Sequence, residues 1–164
     1  MSMRKSIRDI YMTFINDETL LRLLYYPPKN LGTNTPDPLS VTNPNILDMS
    51  DDAKWEVIND RIAMTPTVSD LDTTEKCRLL FYAGRRSPGN FIYADQEIIC
   101  DILCHFNYEK DQRSTWISDR VNELLVQERI TGIGKVDFKS GGITGSPKGY
   151  IGYRLVYEFG SAKK

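Results

Sequence analysis

The first 24 residues place apolar side chains with the period of two consecutive helices. The first set recurs at the spacing i, i+3, i+4 and i+7, which is typical of one face of an amphipathic helix. Asn16 and Asp17 interrupt this pattern, and either side chain can cap a second, shorter helix. The run Tyr25 to Pro28 then ends it, because proline lacks the backbone N–H that a helix needs. The apolar positions of the two helices are Ile7, Ile10, Tyr11, Phe14, Leu20, Leu21 and Leu24.

Strands are predicted in the second half of the chain, where the period changes to two. Residues 76–83 predict one strand, and the turn-rich run Gly84 to Asn90 predicts a hairpin tip after it. A second strand, antiparallel to the first, is predicted over 97–106, a third over 135–139 and a fourth at the end of the chain, after a glycine-rich loop over 141–149. The buried faces predicted for the second and fourth strands comprise Ile98, Cys100, Ile102, Cys104 and Phe106, and Ile151, Tyr153, Leu155, Tyr157 and Phe159.

Two further helices are predicted from caps and spacing. Ser50, followed by two aspartates, is a typical N-cap, and the short helix after it carries Trp55, Ile58 and Ile62 on one face. Asp111 or Ser114 begins a more regular helix, expected to pack across the sheet with Ile117, Val121, Leu124 and Leu125. The order of elements predicts one α+β domain over 1–164, with about four antiparallel strands, two or three helices on one face, and a flexible tail at 160–164.

Residues 27–50 form a proline-rich segment that fits no regular element. Five prolines fall among the 18 residues from Pro27 to Pro44. A loop of this length usually marks a binding arm or a linker, and apolar residues within it favour an arm. Such an arm is expected to be mobile in the isolated protein and to bury its apolar residues against a partner. These residues are Leu31, Leu39, Val41, Ile46 and Leu47.

Composition excludes several classes of protein, and the distribution of charge suggests contacts between copies. The chain has 164 residues, 40% hydrophobic and 26% charged, which disfavours wholesale disorder, and its short apolar runs disfavour a membrane span. No signal peptide is predicted, so a cytoplasmic location is expected. The net charge of −1 is uneven: residues 31–75 carry two Lys/Arg against nine Asp/Glu, and residues 131–164 carry six against two. Such acidic and basic regions could be complementary surfaces between copies of the protein.

The candidate chemistry in the sequence is sparse. Three cysteines, an odd number, predict buried and reduced thiols rather than a disulfide framework, and no metal or cofactor is predicted. Asp95, Glu97 and Asp101, together with Asp70 or Asp72, could hold Mg²⁺ in a small metal-dependent nuclease. The lysine expected two residues after the second carboxylate of such a site is missing, so carboxylates on a solvated strand explain these residues better.

A nucleic-acid-binding protein is a further alternative. It would require the C-terminal cations to form one basic patch, with an affinity that falls steeply with salt. The residues concerned are Lys135, Lys139, Lys148, Arg154, Lys163 and Lys164.

Several short segments, spread over nearly the full chain, have a sequence pattern and an order that are typical of one group of proteins. These segments are Leu23-Leu-Tyr-Tyr-Pro-Pro, Asp37-Pro-Leu, Asn43-Pro-Asn-Ile, Lys76-Cys-Arg-Leu-Leu-Phe-Tyr, Asp95-Gln-Glu-Ile, Trp116-Ile-Ser-Asp-Arg-Val-Asn-Glu-Leu-Leu, Glu128-Arg-Ile-Thr-Gly and Gly149-Tyr-Ile-Gly-Tyr-Arg-Leu-Val-Tyr. In them the chain resembles the head-tail joining, tail-terminator and tail-completion proteins of tailed phages and prophages.

This resemblance implies a small fold with a curved antiparallel sheet and a structural role without enzymatic activity. It implies a homo-oligomeric ring, expected to be a hexamer, at the neck of the virion, where DNA passes through without sequence-specific binding. The implied partners are further copies of the chain, the phage tail tube protein and the head connector proteins, with assembly in the host cytoplasm and no membrane contact. The residues assigned to subunit or partner contacts are Leu31, Leu39, Val41, Ile46, Arg85, Arg86, Lys135, Lys139 and Lys148.

Overall fold

A five-stranded mixed sheet organises the computed structural model, which describes residues 2–29 and 34–163. The helices are α1 Met3–Ile15, α2 Glu18–Tyr25, α3 Asp51–Arg61 and α4 Arg113–Leu125. The strands are β1 Ile62–Ala63, β2 Cys77–Pro88, β3 Tyr93–His105, β4 Ile133–Thr144 and β5 Tyr150–Ala162. The α+β class predicted from the sequence is confirmed.

The sheet differs from the prediction of about four antiparallel strands in one respect. The strand order is β1-β2-β3-β5-β4, and the four long strands are antiparallel to their neighbours. The additional strand, β1, runs parallel to β2 and pairs Ile62 with Leu79 and Ala63 with Leu80. Two residues are too few to leave an alternation in the sequence. β1 forms because α3 contacts β2, so the chain leaves α3 at the edge of that strand.

The helices cover one face of the sheet, and the main hydrophobic core lies between the two layers. The predicted stripe of α1 packs there: Phe14 is fully buried and lies edge to face with Phe81 of β2, with ring centroids 5.3 Å apart. Phe106 does not share this face as predicted, because β3 ends at His105 and the Phe106 side chain is 59% exposed. Four predicted residues of β3 do line the core, namely Ile98, Cys100, Ile102 and Cys104.

The three cysteines are free and buried, as predicted. Cys77 of β2 and Cys104 of β3 are direct partners across the two strands. Burial raises the pKa of the Cys100 and Cys104 thiols, because the apolar core disfavours a charged thiolate. The thiols therefore act as small apolar side chains of the core.

Two arginines bind the carbonyl oxygens at the C-terminal end of α2. Arg113, which is fully buried, donates from Nη1 to Leu23 O at 2.5 Å and to Tyr26 O at 2.6 Å. Arg61 donates from Nη1 to Leu24 O at 2.7 Å. The last carbonyls of a helix have no partner within it, so these guanidinium groups supply donors and join α2 to α3 and α4.

The described part of the proline-rich segment, residues 34–50, packs against its own chain. Arg22 of α2 donates from Nη1 to Ser40 O and to Asn43 O, each at 3.0 Å. Ile46 begins a 3₁₀ turn and is fully buried in the main core. An arm that reaches another molecule is therefore not confirmed. The assignment of Ile46 to a partner interface is corrected, because this side chain belongs to the core of its own chain.

The other apolar residues of the segment have different environments. Leu39 is partly buried against the core, whereas Val41 is 95% exposed. Leu31, which was also assigned to the arm, lies outside the described residues.

The ends of two strands and the orientation of one helix residue also differ from the predictions. β2 continues through the predicted hairpin tip to Pro88, after an irregularity in its register. β5 continues to Ala162, where it pairs with β3, and Ser161 is buried. The predicted tail at 160–164 is thus strand in its first three residues, because β3 supplies a partner that the sequence pattern does not reveal. In α3, Trp55 points away from the core face predicted for it and is 41% exposed.

Replacing Arg113 by alanine is expected to lower the free energy of unfolding by about 3–5 kcal/mol, the usual cost of breaking a buried ion pair. Asp111 Oδ2 lies 2.7 Å from Arg113 Nη2 and would lose its counter-charge, while two helix carbonyls would lose their donors. Urea denaturation followed by circular dichroism measures the change. Arg129→Ala, at an exposed position, is the control and should change stability by less than about 0.5 kcal/mol. Equal effects of the two variants would contradict this role of Arg113.

The variants Ile46→Ala and Val41→Ala test whether the proline-rich segment is a folded loop or a free arm. The Ile46 variant should lose about 2–5 kcal/mol of stability, because it leaves a cavity in the core. The Val41 variant should stay within about 0.5 kcal/mol of the wild type, because that side chain is exposed. Thermal and urea unfolding measure both. Equal, negligible effects would mean that the segment is not part of the folded core in solution.

Candidate subunit interface

β4 forms one edge of the sheet, and in the described residues no strand lies on its outer side. The strand is 12 residues long and pairs with β5 along its inner side. The open side of an edge strand presents backbone N–H and C=O groups that another strand can bind. β4 is therefore a surface through which a second polypeptide can extend the sheet.

The helices cover β4 only in part, and apolar side chains on this strand remain exposed. Val136 is fully buried in the main core, but Phe138 is 48% exposed and Ile143 is 81% exposed. Phe138 contacts Tyr157 edge to face, with ring centroids 6.0 Å apart. Ile143 pairs with Tyr153 of β5, which itself packs against the core. The apolar surface of the core thus continues onto the edge strand, where a neighbouring molecule could cover it.

The pairing of the edge strand β4 with β5 is irregular. The register with β5 shifts between residues 133 and 137 and again between 138 and 140. Such bulges twist an edge strand and restrict the strands that can pair with it.

Gly132, just before β4, has a φ of +71°, and a Cβ there would lie 2.2 Å from Gly160 O. Only glycine fits this approach, so the position of the edge against β5 depends on it.

Phe138 and Ile143 were not among the predicted interface residues. The sequence predicts a glycine-rich loop over residues 141–149, whereas β4 continues to Thr144. Glycine disfavours strands, but pairing with β5 overrides this local preference. An isoleucine after two glycines, at a position with no predicted core partner, is the one signal in the sequence for an exposed apolar edge.

The cations assigned to the interface lie on different elements. Lys135 and Lys139 are on β4, and Lys148 is in the loop between β4 and β5. Arg85 and Arg86 lie near the end of β2. Lys135, Lys148 and Arg85 are exposed, so they are available to a partner on these two edges and on the loop that follows β4.

Two of these cations are held by their own chain. Lys139 Nζ lies 2.6 Å from Glu97 Oε1 and 2.9 Å from Glu158 Oε2, and the two carboxylates raise the pKa of Lys139. Arg86 donates from Nη2 to Ala162 O at 2.7 Å. The first contact ties β4 to β3 and β5, and the second ties the end of β2 to the end of β5. Both serve to fix the edges of the sheet.

The face of the sheet opposite the helices carries an ion pair between two strands. Arg154 donates from Nε to Asp101 Oδ1 at 2.8 Å and from Nη2 to Oδ2 at 3.0 Å. Tyr82 donates its hydroxyl to Asp101 Oδ2 at 2.6 Å, and burial raises the pKa of Tyr82. These residues border a cleft of about 530 Å³ whose floor includes Leu80 and Leu103. Because Arg154 is neutralised here, as Lys139 is on β4, two of the six cations proposed for a nucleic-acid patch have carboxylate partners.

The carboxylates proposed for a nuclease have separate partners. Glu97 and Asp101 form the ion pairs given above, and Asp95 borders a shallow hollow beside β4. Asp70 accepts hydrogen bonds from Arg78 Nη1 at 2.6 Å and from Nη2 at 2.7 Å. Within residues 2–29 and 34–163, no three His, Cys, Asp or Glu side chains are grouped so that they could hold a metal ion.

The chain belongs to the YomW family, whose model matches residues 17–159. It is 33% identical over 161 residues to the "SPbeta prophage-derived uncharacterized protein YomW" of Bacillus subtilis (strain 168), and the match covers 94% of each chain. The family match runs from just before α2 into β5, so it includes the core and the edge strand. None of the helices in the described residues has the length and apolar character needed to cross a membrane.

Asp70 is expected to make stability depend on pH in the acid range. The bidentate Arg78 lowers the pKa of Asp70 to about 2, against a usual value near 3.9. The pair therefore contributes its full stability above about pH 4, and this contribution falls as the pH drops towards 2. The contribution is about 1 kcal/mol or less, because the Asp70 side chain is 48% exposed and solvent screens the pair.

Asp70→Asn tests this expectation by urea denaturation at several pH values between 2 and 7. The variant should be less stable than the wild type at pH 7 and should approach it as the pH falls towards 2, where about half of the wild-type carboxylates are protonated. Asp72→Asn is the control, since Asp72 forms no ion pair with the described residues. A constant difference between Asp70→Asn and the wild type at all pH values would contradict the assignment.

Proposed function

We propose that this chain is a prophage-derived structural protein of the phage head-tail interface and that it assembles into a homo-oligomeric ring through the edges of its sheet. The observation that carries the proposal is the open edge of β4 with the exposed Phe138 and Ile143. Membership of a family with a prophage-derived relative supports an origin in a phage. The resemblance of the sequence to tail-completion and head-tail joining proteins supports the place of the ring in the particle.

The directions of the strands support a head-to-tail contact. In the described chain, β1 pairs only with Leu79 and Leu80 of β2, so residues 81–88 have no strand on their outer side. β2 runs antiparallel to β3, β3 to β5, and β5 to β4, so β2 and β4 run in opposite directions. Copies related by rotation about a ring axis would therefore bring β4 of one copy antiparallel to β2 of the next. Antiparallel pairing is favourable for such an extension of the sheet.

In this proposal the protein acts by shape and contacts rather than by catalysis. Heterologous contacts of this kind close into a ring when the rotation between neighbouring copies is a whole fraction of 360°. A hexamer at the neck would surround the DNA without reading its sequence, and the ring would bind the tail tube protein on one side and head connector proteins on the other. The protein would assemble in the host cytoplasm and remain in the virion.

Ile143→Asp tests the proposed edge contact. A charge on the open edge of β4 should prevent the apolar contact and strand pairing with a second copy, without removing a buried side chain. Sedimentation velocity and negative-stain microscopy, alone and with purified tail tubes, should show closed rings for the wild type and no closed rings for the variant. Matching thermal unfolding curves would confirm that both proteins are folded.

Val41→Asp is the matched variant, since it places the same charge at a β-branched position that is 95% exposed in the loop 34–50. It should assemble as the wild type does. If Val41→Asp abolishes assembly and Ile143→Asp does not, the loop is the contact surface and the β4 edge is not. A wild-type protein that stays monomeric and binds neither tail tubes nor connectors would overturn the proposed function.

A further inference from the structure

A groove lined by α1 has apolar walls and two cations at its rim. Ile7 and Tyr11 are partly buried, and Met12 and Met64 remain 45% and 47% exposed. Its volume is about 480 Å³. The groove is lined by Arg4, Ile7, Arg8, Tyr11, Met12 and Met64.

The two cations of the groove differ from the neighbouring lysine in their ion pairing. Lys5 forms an ion pair with Asp9 at 2.9 Å, whereas neither Arg4 nor Arg8 has an ion-pair partner in the described residues. Arg4 and Arg8 are four residues apart on one helix, so they lie on the same face, about 6 Å apart along its axis. An occupant of the groove would meet an apolar surface and two unpaired positive charges one helical turn apart.

The outer surface of α3 has the complementary features. Trp55 is 41% exposed, and Asp52 and Glu56 lie on the same side at i−3 and i+1, fully on the exposed surface. Asp52 and Glu56 are four residues apart, as the two arginines of α1 are, and neither has an ion-pair partner in the described residues. α3 thus presents a large apolar side chain beside two unpaired negative charges at the spacing of the two positive ones.

We propose that the Trp55 surface of α3 in one copy of this protein docks into the α1 groove of a second copy. Trp55 would enter the apolar groove, while Asp52 and Glu56 would pair with Arg4 and Arg8. A buried tryptophan is among the side chains that contribute most to the affinity of protein contacts, and matched charges orient the partners and make the contact specific. The proposal rests on the self-assembly of the proposed function and adds to it a contact that is separate from the β4 edge.

A charge exchange tests the contact by sedimentation velocity of the full-length protein. Trp55→Ala should weaken self-association about 30-fold or more, since buried tryptophans at such contacts typically contribute that much. The pair Arg4→Glu and Arg8→Glu should weaken it, and so should the pair Asp52→Lys and Glu56→Lys. A protein that carries all four substitutions should recover association, because the attraction is restored with its signs exchanged. Wild-type association should also fall as salt increases.

The control for charge is the pair Lys29→Glu and Lys110→Glu, which changes the net charge equally at exposed positions away from the groove. Circular dichroism and thermal unfolding should show that every variant is folded, which matters for Asp52 because it lies in the first turn of α3. Recovery in the fourfold variant, with no effect of the control, would establish the contact, because a general loss of stability cannot be reversed by adding more substitutions.

Two results would overturn the contact. If the fourfold variant stays as weak as the two double variants, Arg4 and Arg8 do not face Asp52 and Glu56. If Trp55→Ala and the double variants assemble like the wild type while Ile143→Asp does not, the contact is absent and the proposed edge assembly stands. A loss of association in these variants together with unchanged assembly of Ile143→Asp would instead keep the contact and overturn the edge.

Discussion

The fold depends on how the carbonyl oxygens at the end of α2 are satisfied. This helix is followed by Tyr26 and two prolines, so its last carbonyls cannot be bound by a following turn of backbone. Arg113, the first residue of α4, and Arg61, the last residue of α3, donate to them instead. Because these two side chains come from two other helices, the polar end of α2 fixes the arrangement of the helix layer. Arg22 of α2 in turn donates to two carbonyl oxygens of the loop 34–50 and so joins this loop to the helix layer.

The two faces of the sheet are stabilised differently, and the proposed contact through the β4 edge follows from this difference. The helix-covered face carries the hydrophobic core, and it ends in exposed apolar side chains at β4. On the other face, ion pairs such as Arg154–Asp101 and Lys139–Glu97 link strands that are distant in sequence. A sheet held in this way keeps its edges in place even where no neighbouring strand supports them. Rigid edges are what an assembly built by strand pairing requires, since each contact must repeat the same geometry.

The sequence predicts the elements whose burial is periodic and fails where tertiary contacts decide. The stripe on α1 and the alternation in β3 were predicted because their side chains enter the core at the expected positions, apart from Phe106 beyond the end of β3. β1 was missed because two residues carry no period, and the end of β5 because Ser161 is polar and yet buried. The packing of Ile46 depends on Arg22, a charged residue on a helix, which no pattern within the proline-rich segment reveals. For the candidate interface, the exposure of Ile143 follows from its place at the sheet edge, which only the strand order defines.

The rate at which the buried cysteines react depends on how often the sheet opens. Cys77 and Cys104 face each other across β2 and β3, and Cys100 lies four residues before Cys104 on the same face. Only a thiolate reacts readily, and the burial that raises the pKa of the Cys100 and Cys104 thiols also excludes water-soluble reagents. Alkylation therefore has to wait until the two strands separate from the helix layer, so its rate reports the kinetics of local opening at the centre of the molecule. The same chemistry, applied to free subunits and to assembled particles, compares how long the central strands stay closed in each.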